Sequence, residues 1–201
     1  MVSGFLSFAL IAVIAYFLGA IPFAQLVSRA RGVDIFKVGS GNAGFTNVLR
    51  VLGGRAAVVV LVGDILKGTL AAGIGDALGD EIGMLLASAI AVIAHTLSVF
   101  VHFRGGKGVA TGAGVLLYVS PLSFLACGTT LALLAYTTGY MSIGSIAAAI
   151  LCPLMLILTH EQPLVIGVFT CCALFVIWKH RGNIRRLRNG TENKIRPGKK
   201  G

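Results

Sequence analysis

Charge is scarce in this sequence. Of its 201 residues only 12% are Asp, Glu, Lys or Arg, and acids are the rarer kind, 7 against 17 bases. A chain this poor in charge and 56% hydrophobic cannot clothe a soluble domain of its size, which excludes that class. The four cysteines, Cys127, Cys152, Cys171 and Cys172, all fall in apolar stretches. They lack metal-ligand spacing and read as small core residues. No His/Asp/Glu grouping has metal spacing either, and there is no Gly-x-Ser-x-Gly elbow, so a metalloenzyme and a serine hydrolase are both disfavoured. Nine bases (Lys179, Arg181, Arg185, Arg186, Arg188, Lys194, Arg196, Lys199 and Lys200) crowd the C-terminal tail without interleaved aromatics. That pattern fits anionic lipid head groups and argues against nucleic acid. The N-terminus has no cationic leader, and its apolar run is too long for a signal peptide.

What remains is apolar sequence in long runs. The mean hydropathy is +0.90, and runs approaching about 20 uncharged residues read as transmembrane helices. Spans are expected near 4–27 (with Gly19 and Pro22 as sites of a kink), 51–74, 82–102, 109–136, 141–158 and 164–178. Cationic segments 28–50, 104–107 and the tail belong on the cytoplasmic side, and the acidic stretch Asp76, Asp80, Glu81 outside. The N-terminus is then outside and the C-terminus cytoplasmic. An even number of crossings must separate Lys107 from the tail, so 109–136 is split at Ser120-Pro121. The expectation is an all-α polytopic integral membrane protein of about seven transmembrane helices. A re-entrant segment at 109–119 with six full crossings satisfies parity equally. The chain reads as one membrane domain over 1–201: a helical core to 182, cytoplasmic motif loops at 38–50, 103–111 and 137–145, and a basic tail over 183–201.

Three polar clusters carry chemistry. In Phe103-Arg104-Gly105-Gly106-Lys107-Gly108-Val109-Ala110-Thr111, three glycines surround one lysine ahead of an apolar helix. Small residues let backbone amides approach an anion, and the lysine adds a point charge. The spacing is not that of a nucleotide-binding P-loop. In 38–50, glycines alternate with Ser40, Asn42, Thr46 and Asn47, and Arg50 closes the run with a planar fork suited to phosphate. In Lys179-His180-Arg181-Gly182-Asn183, His180 and Asn183 lie three apart and are neighbours on a continuing helix. With the split after Val119, the turn ending at Ser142 joins these clusters on the cytoplasmic face. Together they fit a substrate bearing phosphate, with an apolar partner entering from the lipid, and group transfer at the membrane surface.

Two further features leave alternatives open. Asp64 and Lys67, also three apart, form either a functional pair within the membrane or one that neutralises itself structurally. His95 reads as a hydrogen-bonded core histidine rather than a ligand. The rival to an enzyme is a transporter for a phosphorylated solute. It would need polar groups reaching the outer face, where only Asp76, Asp80, Glu81, His160 and Glu161 are on offer.

The clusters, in this order and spacing, resemble the bacterial acyl-phosphate-dependent glycerol-3-phosphate acyltransferase family, PlsY. The matching stretches are Gly39-Ser40-Gly41-Asn42-Ala43-Gly44-Phe45-Thr46-Asn47, the run 103–111, and His180-Arg181-Gly182-Asn183-Ile184-Arg185-Arg186-Leu187 with Gly190-Thr191-Glu192. Asp64-Ile65-Leu66-Lys67-Gly68 and Tyr140-Met141-Ser142-Ile143-Gly144-Ser145-Ile146 are similar to family segments too. Departures are Ser98 where the family usually has the proline of His-x-x-Pro, Gly182 where it has an acid, and Gly139 where many relatives have arginine.

The resemblance implies a bacterial inner-membrane enzyme with its active site on the cytoplasmic side. It would transfer a fatty acyl group from acyl phosphate to the 1-hydroxyl of sn-glycerol 3-phosphate, giving lysophosphatidic acid and phosphate, the first step of phospholipid synthesis. It implies no metal or other cofactor, and its partners are the two substrates and membrane lipid. Lys107, Arg50, His180 and Asn183 would be catalytic. Ser40, Asn42, Thr46, Asn47, Gly105, Gly106, Gly108 and Ser142 would bind substrate, with amides of 105–108 on the donor's phosphate. The proton acceptor is either His180 or the donor phosphate itself.

Overall fold

Proline and glycine set where the helices stop. The structure, a computed structural model, describes residues 2–195; Arg196, Lys199 and Lys200 of the basic tail, and Met1, lie outside the described residues. Helix α1 (Val2–Ala20) ends ahead of Pro22, whose ring cannot follow a helical Leu18 carbonyl, and α2 (Phe23–Arg29) begins directly after it. The first apolar stretch is therefore two helices broken at Pro22, which together run over Gly4–Arg29 as one candidate span, as expected of a span kinked there. Helix α3 (Phe45–Leu52) lies in the segment expected to be loop, and Gly53 separates it from α4 (Gly54–Thr96).

Helix α4 is two arms. Gly79 and Asp80 leave helical geometry (Asp80 at φ 50°, ψ −151°), and the chain folds back there. A Cβ on Gly75 would overlap the Gly83 carbonyl, and one on Gly83 the Gly75 carbonyl, so the arms close on each other backbone to backbone. The acidic stretch is thus the tip of a helical hairpin. The second arm ends at Thr96, six residues before the expected limit at His102. A 3-10 turn (Val99–Val101) follows, and then left-handed His102 and Phe103 at φ 52° and 61°. Ser98, in place of the family's proline, donates its hydroxyl to the Ala20 carbonyl at 2.6 Å, so the residue that departs from the pattern ties this segment to the end of α1.

The expected break after Val119 is present. Helix α5 (Val109–Val119) ends at an extended Ser120 and α6 begins at Pro121 (Pro121–Thr138). Helices α7 (Met141–Leu158), α8 (Pro163–Lys179) and α9 (Arg181–Arg188) complete the chain, α9 being bent 50° from α8 at His180. No strand occurs among the described residues. Gly4–Arg29, Gly54–Val101, Pro121–Thr138 and Met141–Leu158 are long and apolar enough to cross a membrane, as is the bent α8–α9 pair taken together. Their outward residues suit lipid: Phe5, Leu10, Val13 and Phe17 are exposed along α1.

The chain divides into two compact units between Pro121 and Leu122. In the first, α4 packs against both α1 and α5, and small residues make the crossings. A Cβ at Gly19 would lie 2.6 Å from the Ala91 carbonyl oxygen; at Gly68 it would overlap the Thr111 carbonyl, and at Gly114 the Ile65 carbonyl. Close approach of this kind, with little hydrophobic gain available in lipid, is how membrane helices associate. Gly114→Ala is therefore expected to lower stability by about 1–3 kcal/mol, read as a lower Tm in detergent. Gly128→Ala, where nothing lies within 4 Å, should leave Tm unchanged or raise it. In the second unit α7 packs on α8, and Gly144 admits the Leu131 carbonyl of α6.

Candidate functional site

The first unit brings two of the sequence clusters together. Asn47, fully buried on α3, organises the 38–50 loop. Its Oδ1 accepts the Ser40 amide at 2.8 Å, and its Nδ2 donates to the carbonyls of Ile35 (3.2 Å) and Val38 (3.0 Å). A substrate contact expected of Asn47 is thus replaced by an internal one: its amide is spent shaping the loop that presents the exposed Ser40. Thr46 and Arg50, four apart, share a face of α3 and are both half-buried. Gly44, extended and without a side-chain cap, starts that helix, so Thr46 is not its N-cap. Asn42 lies beside Gly44, at 3.1 Å from where a Cβ would stand.

The Gly-Gly-Lys-Gly turn meets this loop. A Cβ on Gly106 would come within 2.8 Å of the Ala43 carbonyl, and the Arg104 guanidinium stacks 5.0 Å from the Phe36 ring centre. Two amides expected to face an anion do not. The Gly105 N–H donates to the Thr96 carbonyl at 3.0 Å and the Gly106 N–H to the His95 carbonyl at 3.2 Å. These carbonyls belong to the last turn of α4, which has no intrahelical partners for them. Gly105 and Gly106 contribute by being small, because a side chain on either would strike His95. Gly108 sits at φ 87°, a left-handed conformation that opens α5. Lys107, half-buried, stands between Gly106 and Gly108. A recess beside the turn is lined by Phe23, Ala43, Asp64, His95, Ser98 and Gly106. His95 is indeed a buried histidine, but its place against the turn was not legible.

The second unit holds the third cluster. Ser142, in the first turn of α7, and Asn183 of α9 donate to the same oxygen, Glu192 Oε1, at 3.0 and 2.6 Å, while Arg186 Nε reaches Oε2 at 2.8 Å. His180 is buried at the α8–α9 bend, and its Nδ1–H donates to the Val176 carbonyl at 2.8 Å. Gly139, left-handed at φ 78°, caps α6 and accepts the Ile195 amide at 2.8 Å; an arginine there would be strained. Glu192 is the residue sequence reasoning left without a role. Its signals are its place in the family stretch Gly190-Thr191-Glu192 and its being the only acid after Glu161 in a run crowded with bases.

Burial alone raises the Glu192 carboxyl's pKa. Hydrogen bonds from Asn183, Arg186 and Ser142, with the Arg186 charge, outweigh that and hold it below its ordinary 4.5. A lowered folded pKa means the carboxylate's contribution is complete above the unfolded value and is lost as pH falls through the folded one. The fluorescence melting temperature of Trp178, the single tryptophan, is expected to be flat above about pH 5 and to fall below it. Glu192→Gln should flatten that acid limb.

Helices of this length and surface define an all-helical integral membrane protein, and its first unit sets a lysine in a glycine turn against the segment that runs from Ser40 into α3. The family model for glycerol-3-phosphate acyltransferase matches residues 9–190. The chain belongs to the glycerol-3-phosphate acyltransferase family. It is 45% identical to the glycerol-3-phosphate acyltransferase of Geobacillus kaustophilus over 96% of this chain and 98% of that protein. It is 41% identical to that of Bacillus subtilis over 94% and 97%. Among solved structures it is similar to PlsY (YgiH), an integral membrane glycerol 3-phosphate acyltransferase. The glycerol 3-phosphate form has a TM-score of 0.89 at 36% identity, covering 94% of this chain and 95% of that one. The lysophosphatidic acid form has a TM-score of 0.88 at 35% identity over the same shares.

Proposed function

We propose that this chain takes a fatty acyl group from acyl phosphate and transfers it to the 1-hydroxyl of glycerol 3-phosphate. As a member of its family it acylates glycerol 3-phosphate; the acyl-phosphate donor is the finer part of the proposal. The observation that carries it is the meeting of the Gly-Gly-Lys-Gly turn with the Ser40–Arg50 segment at Gly106 and Ala43. In this reading Lys107 and Arg50, carried on the two segments that meet, are the cations that offset a dianion.

In the reaction the acceptor's hydroxyl oxygen attacks the acyl carbonyl carbon. The bond from that carbon to the phosphate oxygen breaks, phosphate leaves with the electron pair, and the hydroxyl proton passes to a base. Lys107, Arg50, Ser40, Asn42 and Thr46 bind phosphate and glycerol oxygens in this reading. Gly105, Gly106 and Gly108 leave them room, and Asn47 acts through the loop it holds. By the family pattern alone, Ser142, His180 and Asn183 would orient the acceptor or the phosphates. His180, with Nδ1 protonated against Val176, has Nε2 as its basic nitrogen; the departing phosphate is the other candidate base. An acyl phosphate already carries a good leaving group, so positioning and anion stabilisation can supply most of the acceleration. The site is assigned to the cytoplasmic face of the bacterial inner membrane, on the charge pattern of the loops.

The test is purified protein in lipid given palmitoyl phosphate, palmitoyl coenzyme A or palmitoyl carrier protein, each with and without glycerol 3-phosphate. Acceptor-dependent phosphate release and lysophosphatidic acid from palmitoyl phosphate alone is the expected result. Equal turnover with either thioester would overturn the choice of donor. Glycerol 3-phosphate crossing sealed vesicles without product would favour the transporter.

A further inference from the structure

We propose that His95, held by Asp64 and Lys67, is a positioning residue for the Gly-Gly-Lys-Gly turn, fixing the height at which Lys107 meets an anionic ligand. This rests on the reading that the turn receives the phosphate of glycerol 3-phosphate. His95 touches the turn twice. Its carbonyl accepts the Gly106 N–H at 3.2 Å, and its ring packs flush on the same residue, since a Cβ on Gly106 would overlap Nε2. The ring's other edge faces a charge: Nδ1 lies 3.5 Å from Asp64 Oδ1, an ion-pair distance without a hydrogen bond to that oxygen, which is 2.8 Å from Lys67 Nζ. Lys67 in turn donates to the Ile21 carbonyl at 2.8 Å, at the break between α1 and α2, and its ammonium faces the Phe23 ring at 5.8 Å.

The chain of contacts thus starts at the end of α1, crosses both arms of α4 and finishes under the turn. Asp64 and Lys67 are each 2% exposed and His95 8%. Burying three ionisable groups is costly, and apolar residues of similar volume would hold the helices together as well or better. What they would not supply is a fixed ring orientation. A buried carboxylate anchored on its own helix sets the imidazole's rotation, and through Gly106 the height of the turn. The α4 C-terminus beneath the turn also favours a cation above it, in keeping with Lys107 as the next residue.

The experiment compares wild type, His95→Gln, the neutral pair Asp64→Asn/Lys67→Met, and Ser88→Ala. The last is a control that loses a buried hydrogen bond on the same arm of α4, from Ser88 Oγ to the Met84 carbonyl at 2.6 Å. Initial rates at saturating palmitoyl phosphate give kcat and the KM for glycerol 3-phosphate, alongside Tm and hydrogen exchange of peptides covering 103–111. His95→Gln and the double variant are expected to raise KM about tenfold or more with kcat within about threefold, and to speed exchange in 103–111. Ser88→Ala should lower Tm and move neither. A folded His95→Gln with wild-type KM and wild-type exchange overturns the proposal, as does a KM change no larger than the control's at equal loss of Tm. His95→Gln decides alone if the double variant does not fold. Wild type that fails to turn over glycerol 3-phosphate would instead count against the functional reading, and the exchange comparison would still decide whether His95 holds the turn.

Discussion

Lys107→Ala is expected to lower kcat/KM for glycerol 3-phosphate by about 10²–10³-fold while the protein keeps its fold. The lysine side chain is only half-buried and stands between two glycines, Gly106 and Gly108, so no core is emptied by its removal. What is lost is the charge that offsets a phosphate, in a place where neighbouring amides give less help than expected. With Gly105 and Gly106 N–H groups bonded to Thr96 and His95, the side-chain cations carry more of the anion's stabilisation. Lys107→Arg should recover part of the rate, since its planar fork keeps the charge but presents it with different geometry. Steady-state kinetics with palmitoyl phosphate check this, beside a melting curve for each variant. A drop of less than about tenfold in Lys107→Ala would remove the turn from the site.

Asn47→Ala is expected to be as damaging by another route. Three backbone groups lean on one amide: the Ser40 N–H and the carbonyls of Ile35 and Val38. Leaving partners of this kind unsatisfied costs about 1–3 kcal/mol each, so roughly 3 kcal/mol or more of local stability goes with the side chain. The loop ahead of α3 should open, KM should rise for both substrates, and hydrogen exchange should quicken over residues 35–44. Asn47→Asp tests the assignment more finely. It keeps the acceptor for Ser40 and loses both donors, so it is expected to fall between wild type and Asn47→Ala. An Asn47→Ala enzyme with normal loop exchange and a defect confined to one substrate would instead make Asn47 a direct ligand.

Local chemistry was the readable part of this chain. Ser120-Pro121 marks a helix break because proline cannot continue the hydrogen bonding of the preceding turn, and parity of the charged loops called for a break of this kind within 109–136. The acidic run from Asp76 to Glu81 marked a tip between arms of α4, as observed at Gly79–Asp80. The family segments placed Ser40, Lys107 and His180 in polar surroundings. Direction was not readable. Whether an amide faces a ligand or the end of α4 depends on where Thr96 and His95 stand, nine and eleven residues back in the chain and beyond any periodicity. Asn47 looks like a ligand in sequence because its partners, Ile35 and Val38, are apolar residues offering only their carbonyls. Glu192 was hidden for a similar reason: Ser142, its partner across 50 residues, says nothing locally of a carboxylate to come.

The pairing of Asp64 with Lys67 bears on how the chain enters the bilayer. Both charges sit on one helix, three residues apart and 2.8 Å from each other. They cancel as soon as that helix winds, before any neighbour has arrived. The segment can leave the insertion machinery as an electrically neutral rod, without waiting for a counter-ion from elsewhere, which lowers the barrier that a lone charge at that depth would impose. The Ile21 carbonyl and His95 then dock onto a pair already formed.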